Sequence, residues 1–331
     1  MNLPNYLDIE SAQLRLRSHV KETPILSSHL LNDWLGHDIF FKMECLQTTG
    51  AFKLRGAYNF IAKLAENNAL PTSIVANSSG NHAQAVAYAA KKFNIPVTIY
   101  CTKTISPVKA AATKFYGAKI LTFDSRLQAD KAVAEASRAI GCVWIPPFNH
   151  PDIIAGQGTA ANEAFSKIDG LDAVFAPCGG GGLISGTYIT AKHFNTNIQV
   201  VGAEPLNAND AASSLRSGVI ETLTHAPNTL ADGAATPSVG EYTFEFIKQL
   251  DGFYEVNENR IAYWTQWLQH LLKMHIEPTC AMTMQAVADW LNNQPSKDKK
   301  RLLVIISGGN ISADSMQKVW KTDYLDQIPS L

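Results

Sequence analysis

The sequence predicts an α/β fold: two open, parallel-rich sheets covered by helices, with a small domain inserted in a larger one. Three observations predict it. From Asp38 onward, short β-like runs alternate with helical ones, the pattern of right-handed crossovers and parallel sheets covered on both faces. At 331 residues the chain has length for about two domains, each with its own core. Several strand-like runs also end in glycine- and serine-rich turns, where ligands sit in parallel sheets.

Taken in order, the strand candidates are Ile39–Met43, Ser73–Ala76, Val97–Cys101, Lys119–Phe123, Cys142–Ile145, Ala173–Ala176, Gln199–Ala203 and Leu302–Ile306. Helical spacing fills the gaps over Lys53–Asn67, Asn81–Phe93, Pro107–Tyr116, Gln128–Ile140, Gly158–Ile168, Leu183–Phe194 and Arg260–Met274. Ser106-Pro107 offers a serine cap with proline at the first helical position, and Gly117 stands where that helix should stop. Proline and polar residues mark the loops 67–72 and 146–151 as hinges. Residues 1–68 and 150–331 are therefore expected to form the large domain, and 69–149 the small one. Lys297-Asp298-Lys299-Lys300-Arg301, the longest charge run, reads as a solvated loop before the last strand.

A net charge of −1 supplies no footprint for nucleic acid or an anionic membrane. No apolar run is long enough to span a bilayer, and Met1–Glu10 carries Asp8 and Glu10 with no apolar core of a signal peptide. Cys45, Cys101, Cys142, Cys178 and Cys280 form no Cys-x-x-Cys pair and read as thiols of a reducing compartment. His270 and His275 are wrongly spaced for a metalloprotease site. The expectation is a soluble cytoplasmic enzyme acting on a small molecule.

The chemistry concentrates in five segments. Lys53 follows Thr48-Thr49-Gly50-Ala51-Phe52 where a loop turns into a helix. A helix N-terminus disfavours an ammonium ion, and an amine must be neutral to attack an aldehyde or take a proton. Lys53 is thus a candidate Schiff-base lysine; a surface lysine opening an amphipathic helix is the plain alternative. Cys178-Gly179-Gly180-Gly181-Gly182 follows a strand and opens a helix, so backbone N–H groups and the helix dipole suit a phosphate. Its spacing, Gly-x-Gly-x-x-x-Gly at Gly180, Gly182 and Gly186, departs from the dinucleotide fingerprint, although Glu204 falls near where a ribose-binding acid would stand.

Ser78-Ser79-Gly80-Asn81-His82 enters another helix and suits a carboxylate, with His82 by itself reading as a packed or capping residue. Ser307-Gly308-Gly309-Asn310 ends the last strand, where Ser307 can bond a ring nitrogen or merely form a turn. Glu204 and Asp210, with the carbonyl of Ala208 between them, offer oxygen ligands to a hard cation; by itself Asp210 reads as a helix cap.

In this order and number, these segments resemble the serine/threonine dehydratase and serine racemase family. Its members are pyridoxal-phosphate enzymes of the tryptophan-synthase-β fold type (PLP fold type II). Thr23-Pro24-Ile25, Gly50–Gly56, Ile154-Ala155-Gly156-Gln157-Gly158-Thr159, Ala231-Asp232-Gly233 and Glu277-Pro278-Thr279 extend the likeness over almost the whole chain. The resemblance implies that Lys53 holds pyridoxal 5'-phosphate through its ε-amine and then serves as base at the substrate Cα. It implies that Phe52 packs on the ring, Asn81 bonds its 3-hydroxyl, Gly179, Gly180, Gly181 and Gly182 hold its phosphate, and Gly233 is a further contact. Ser307 would face the ring nitrogen with a neutral hydroxyl, leaving the ring a weaker electron sink.

Ser78, Ser79, Gly80, Asn81 and His82 would bind the substrate carboxylate, with Ser79 opposite Lys53. Acid/base groups on two faces of one carbon permit racemisation as well as elimination. The resemblance turns Glu204, Ala208 and Asp210 into a site for Mg²⁺, Mn²⁺ or Ca²⁺, and implies a homodimer. The stretch Ala231–Phe244 looks closer to microbial dehydratases, including those acting on hydroxyaspartate, than to animal racemases. The chain stops shortly after the helix following Asn310, so the C-terminal regulatory domain of biosynthetic threonine dehydratases is expected to be absent. The expected activity is α,β-elimination of L-threonine, L-serine or a related β-hydroxy amino acid to a 2-oxo acid and ammonia. The alternatives are a serine racemase, a threo-3-hydroxyaspartate dehydratase and, from another class, an NAD(P)-dependent oxidoreductase.

Overall fold

The computed structural model describes residues 1–296 and 298–331. Of the charge run, Lys297 lies outside the described residues, and Arg301 opens the final strand rather than ending a loop. The first third of the chain forms α1 (Tyr6–Leu16), β1 (Ile25–Leu26), α2 (His29–Leu35), β2 (Asp38–Met43), α3 (Lys53–Glu66), β3 (Ser73–Asn77) and α4 (Asn81–Lys92). Next come β4 (Val97–Thr102), α5 (Pro107–Phe115), β5 (Lys119–Phe123), α6 (Arg126–Ala136), β6 (Cys142–Trp144), α7 (Pro151–Phe165), β7 (Ala173–Pro177), α8 (Gly182–Phe194) and β8 (Gln199–Pro205). The remainder is α9 (Asp210–Ser217), α10 (Glu241–Ile247), β9 (Gly252–Val256), α11 (Glu258–Leu272), α12 (Pro278–Ala281), α13 (Thr283–Asn292), β10 (Arg301–Ile306) and α14 (Ala313–Val319).

Two sheets result. One has six strands in the order β1-β2-β10-β7-β8-β9, parallel except for β1 against β2. Its alternate residues serve two cores, as the two-residue period of a strand requires. Phe41, Phe175, Val201 and Val304 join α11 and α13 on one face, while Val174, Ala176, Val200, Leu303 and Ile305 join α8 on the other. Burial on both faces is what an all-apolar parallel strand such as Leu302–Ile306 needs. The second sheet, β5-β4-β3-β6, is wholly parallel and takes its strands from between the two proline-bearing loops. Its core is shared with Leu54, Ala57 and Ile61 of α3.

Register brings Met43 beside Ile306, and Pro177 beside Ala203, so the loops leaving β2, β10, β7 and β8 share one edge. That edge positions the site.

The structure extends one helix that the sequence reading began at Gly158. α7 starts at Pro151, capped by His150, whose Nδ1 accepts the Asp152 N–H at 3.1 Å. Gly156 and Gly158 lie inside it because neighbouring backbones press on them. A Cβ at Gly156 would lie 2.6 Å from the Arg55 carbonyl, and one at Gly158 would lie 3.0 Å from that of Gly186. They are contact points against α3 and α8, not breaks. The unforeseen β9 is a sheet edge only partly buried, so its residues carry no clear alternation.

Candidate active site

Gly50, with φ of 72°, turns the chain so that the Ala51–Phe52 backbone docks on the end of β10. Phe52 N–H donates to the Ser307 carbonyl at 3.0 Å, and Gly309 N–H to that of Gly50 at 2.9 Å. Lys53 then opens α3 with no side-chain cap at the helix start. Its Nζ donates to the Pro147 carbonyl at 2.7 Å and lies 5.0 and 6.0 Å from the ring centroids of Phe52 and Phe148. Among the described residues no carboxylate offsets its charge, and burial alone pulls its pKa down to about 7. A half-buried amine of this kind is a base and nucleophile near neutral pH.

Phe148 links Lys53 to the glycine loop. A Cβ at Gly180 would lie 2.2 Å from the Phe148 ring, one at Gly182 2.4 Å from Gln157 Oε1, and one at Gly179 3.0 Å from Ala234 Cα. Gly181 has φ of 92°. Every position of this loop therefore excludes a side chain, and the loop ends in the N-terminus of the 13-residue α8. Thr243 Oγ1 donates to the Gly180 carbonyl at 2.7 Å and Ser185 Oγ to that of Gly181 at 2.7 Å, turning these acceptors away from the cradle. Free N–H groups at a helix start with no room for a Cβ fit a phosphate. Gly233 stands beside this loop, its N–H donating to Thr279 Oγ1 at 3.0 Å.

A polar cluster closes the other side. Asn81 Nδ2 donates to both oxygens of buried Glu277, at 2.8 and 3.1 Å. Asn310 Nδ2 donates to Asn81 Oδ1 at 2.9 Å, and Asn310 N–H to Glu277 Oε1 at 2.8 Å. Asn81 is thereby oriented from two sides. Burial and nearby Asp232 raise the Glu277 pKa, against the opposing pull of Lys109. Ser307, buried, is the first residue past β10 and sits beside the Cys280 thiol.

The Ser78–His82 turn splits. Ser78 Oγ accepts the Gly80 N–H at 3.1 Å, which shapes the turn. Ser79 Oγ shares a 3.1 Å hydrogen bond with Thr102 Oγ1, on β4 of the smaller sheet. His82 is buried, bonded through Nε2 to the Ile145 carbonyl at 2.9 Å; burial and then Lys53 push its pKa down to about 3, so the ring is neutral. Its side chain is a packed one, and what it offers the turn is its backbone.

Glu204 and Asp210 are both buried. The plain reading of Asp210 as a cap is corrected: the N–H groups of Ala212 and Ala211 go to Glu204, at 2.7 and 3.2 Å. Asp210 makes no close side-chain hydrogen bond, although the N–H groups of Asp210 itself and Val239 offset part of its burial. Burial raises both carboxyls, Glu204 to about 8 and Asp210 to about 7. Ala208, the buried residue of the turn Leu206–Ala208, lies between them in sequence. Among the described residues no cluster of three or more His, Cys, Asp or Glu side chains forms. Any ion here would rest on two carboxylates plus backbone oxygen, donors that suit a hard cation.

Sequence reasoning missed Pro147 and Phe148, having read 146–151 as a hinge, and named Gln157 and Glu277 only within motifs, with no role. It also missed Lys109 of α5, whose Nζ reaches Asp232 at 2.8 Å. The paired prolines and the glutamate preceding Pro278 were visible; their convergence was not.

The family model described as "Pyridoxal-phosphate dependent enzyme" matches residues 16–308. The chain is 39% identical over 313 residues to the L-threo-3-hydroxyaspartate ammonia-lyase of Saccharomyces cerevisiae, covering 94% of each. It is 38% identical over 317 residues to the L-threonine ammonia-lyase of Thermotoga maritima, covering 94% of this chain and 77% of that one. The crystal structure of serine racemase from Dictyostelium discoideum superposes with a TM-score of 0.85 at 39% identity, over 93% of this chain and 99% of that one.

Proposed function

The chain belongs to the pyridoxal-phosphate dependent enzyme family, and we propose that it converts L-threonine, L-serine or a related β-hydroxy amino acid to a 2-oxo acid and ammonia, the water lost across Cα and Cβ being regained when the released enamine hydrolyses. The observation that carries this reading is Lys53: a half-buried amine with no counter-ion among the described residues, held beside two aromatic rings next to a cradle that admits no side chain. Relatives that act on hydroxyaspartate and threonine by ammonia loss support the substrate class.

Bound pyridoxal phosphate supplies an aldehyde and an electron-withdrawing ring that acidify the substrate Cα–H. The chain supplies the rest. Lys53 Nζ holds the cofactor and then takes the Cα proton, a role that its lowered pKa suits. Gly179–Gly182 N–H groups and the α8 N-terminus take the phosphate, with Gly233 alongside. Asn81, fixed by Glu277 and Asn310, presents its side chain to the 3-hydroxyl. Ser307 offers the ring nitrogen a hydroxyl and no charge. The backbone of Ser78–His82 receives the substrate carboxylate, and Phe52 and Phe148 exclude water.

Residues 69–149 form the unit that closes over the substrate, and Lys109 to Asp232 and Arg126 Nη1 to the Ala235 carbonyl, at 3.1 Å, span that closure. Glu204, the Ala208 carbonyl and Asp210 hold Mg²⁺, Mn²⁺ or Ca²⁺ as a structural cation. Five free cysteines suit the cytoplasm, and resemblance suggests a homodimer. Among the described residues no helix is long and apolar enough to cross a membrane.

The test is a panel of L-serine, D-serine, L-threonine and threo-3-hydroxyaspartate, following keto acid, ammonia and residual enantiomer together. Keto acid and ammonia in equal amounts are expected. D-serine accumulating from L-serine without keto acid would replace this reading with racemisation, the role in which Ser79 returns the proton.

A further inference from the structure

Three hydroxyls stand in line at the C-terminal ends of β3 and β4. Ser79 Oγ lies 3.1 Å from Thr102 Oγ1, and Thr102 Oγ1 lies 2.8 Å from Thr104 Oγ1. Ser79 and Thr102 are half-buried while Thr104 is exposed, so the line runs from the Ser78–His82 turn to solvent. Backbone bonds fix it. Ser78 N–H donates to the Tyr100 carbonyl at 3.1 Å, Thr102 N–H to Ser79 Oγ at 3.3 Å, and Ile105 N–H to the Thr102 carbonyl at 3.1 Å. All of these residues belong to the smaller sheet and its loops, so the line stays whole when that unit closes.

Each hydroxyl carries one proton and two acceptor positions. With Thr104 donating to Thr102 and Thr102 to Ser79, Ser79 accepts twice from Thr102 and its own proton is free to leave the line. With the line reversed, Ser79 donates to Thr102, and a lone pair of its oxygen is free to take a proton. These two polarities are an acid and a base form of Ser79 that differ by no net charge. A lone serine hydroxyl lacks that option, because giving or taking a proton would leave it charged in a site shielded from water.

We propose that Ser79, Thr102 and Thr104 form a proton relay between solvent and the substrate Cα, on the face opposite Lys53, giving the protein a racemase activity beside elimination. The proposal rests on the reading above, in which Ser79 stands opposite Lys53. In the L-to-D direction, Lys53 Nζ takes the Cα proton from one face. On the other, the Ser79 O–H breaks as the new Cα–H forms. Thr102 passes its proton to Ser79, Thr104 to Thr102, and water to Thr104. The proton on Lys53 returns to solvent, so one proton enters and one leaves per event. Thr102 and Thr104 are positioning residues that act through Ser79.

The test uses the cofactor-loaded protein in H₂O–D₂O mixtures, with the amino acid of the panel above that it converts fastest. Chiral chromatography and mass spectrometry follow the Cα epimer and its deuterium, with keto acid measured in the same samples. Wild-type protein is expected to form the labelled epimer, with a curved dependence on deuterium content that reports more than one proton in flight. Thr102→Val, which keeps the shape and removes the hydroxyl, is expected to lower the ratio of epimer to keto acid by about 10-fold or more and to straighten that dependence. Thr102→Ser should restore both. The substrate Kd, read from cofactor absorbance by stopped flow, should stay within about 2-fold; a Kd that moves together with the ratio would overturn the relay in favour of a structural role. Thr104→Val serves where Thr102→Val does not fold, and an unchanged ratio in a folded variant would overturn the relay. Wild-type protein that forms keto acid without epimer would overturn the relay and leave the elimination reading standing. Epimer without keto acid would overturn the elimination reading and leave the relay standing, and neither product from any panel substrate would overturn both.

Discussion

Lys53 and Arg55 lie on the first turn of the same helix, Arg55 fully buried and Lys53 half-buried, and their charges meet opposite treatment. Arg55 donates to Glu44 at 2.7 and 2.9 Å and to Glu163 at 2.7 Å from each of Nη1 and Nη2, with Thr159 Oγ1 and the Lys21 carbonyl completing its shell. Lys42 donates to Glu163 at 2.5 Å from the other side. Burial opposes both cations. The carboxylates prevail at Arg55, whose pKa rises, while Lys42 remains somewhat below its ordinary value; Arg55 and Lys42 together hold Glu163 low. Lys53 receives one carbonyl and two ring faces. The protein pairs a buried charge where it needs a fixed strut between β2, α3 and α7, and withholds the partner where it needs a free amine. Asp210 is the anionic counterpart of Lys53, buried with no cation among the described residues to offset it and only the N–H groups of Asp210 and Val239 against its burial.

The sharpest test of this contrast is catalytic. Lys53→Ala should lower elimination by about 10³-fold or more, while Arg55→Lys should retain measurable turnover; keto-acid assays on cofactor-saturated protein distinguish them. The next is energetic. Arg55→Leu leaves Glu44 and Glu163 buried with Lys42 alone, an uncompensated state that costs about 3–5 kcal/mol. Lys53→Met removes an unpaired amine and should cost nothing in the cofactor-free protein. Equal losses in denaturant melts would break the contrast.

Asp210→Asn extends it to the anion. Mn²⁺ affinity should fall by about 10-fold or more, and the melting temperature without metal should hold or rise, since a buried charge with no cation to offset it has gone. A lower melting temperature without metal would show that Asp210 is compensated after all.

The smallest effect is one of pH. With Lys53 at about 7 against its ordinary 10.5, uptake of pyridoxal phosphate by cofactor-free protein should rise through pH 7 and level off, because only the unprotonated amine adds to an aldehyde. Between about 7 and 10.5 the unfolded chain keeps that proton and the folded one does not, so stability gains from Lys53 as pH rises across this window. Lys53→Met should flatten that gain, and uptake still climbing toward pH 10 would contradict the lowered pKa.

Much of the fold was legible because its signals are local. Lys119–Phe123 matches β5 end to end, and Ser106-Pro107 opens α5 as its capping chemistry required. Elements without a sharp local pattern were missed, such as the part-buried edge strand β9 and the short α9 and α10. Glycines inside α7 misled in the other direction, since their cause lies on α3 and α8 rather than in the helix itself. In the site, Lys53 and the glycine loop announced themselves through residue type beside a helix start. Glu277 did not, because its importance comes from Asn81 and Asn310, far away in the chain.

The sequence by itself determined the alternation of strands and helices, the turns that end them, and the residues able to bear this chemistry. These follow from periodicity, capping and the presence of an amine or a run of glycines. Tertiary structure alone decided which buried charges are paired. Glu163 reaches Arg55 across 108 residues and no carboxylate reaches Lys53. Glu204, not Asp210, caps α9. Electrostatic compensation depends on distances and burial, and both are set by how remote parts of the chain pack together.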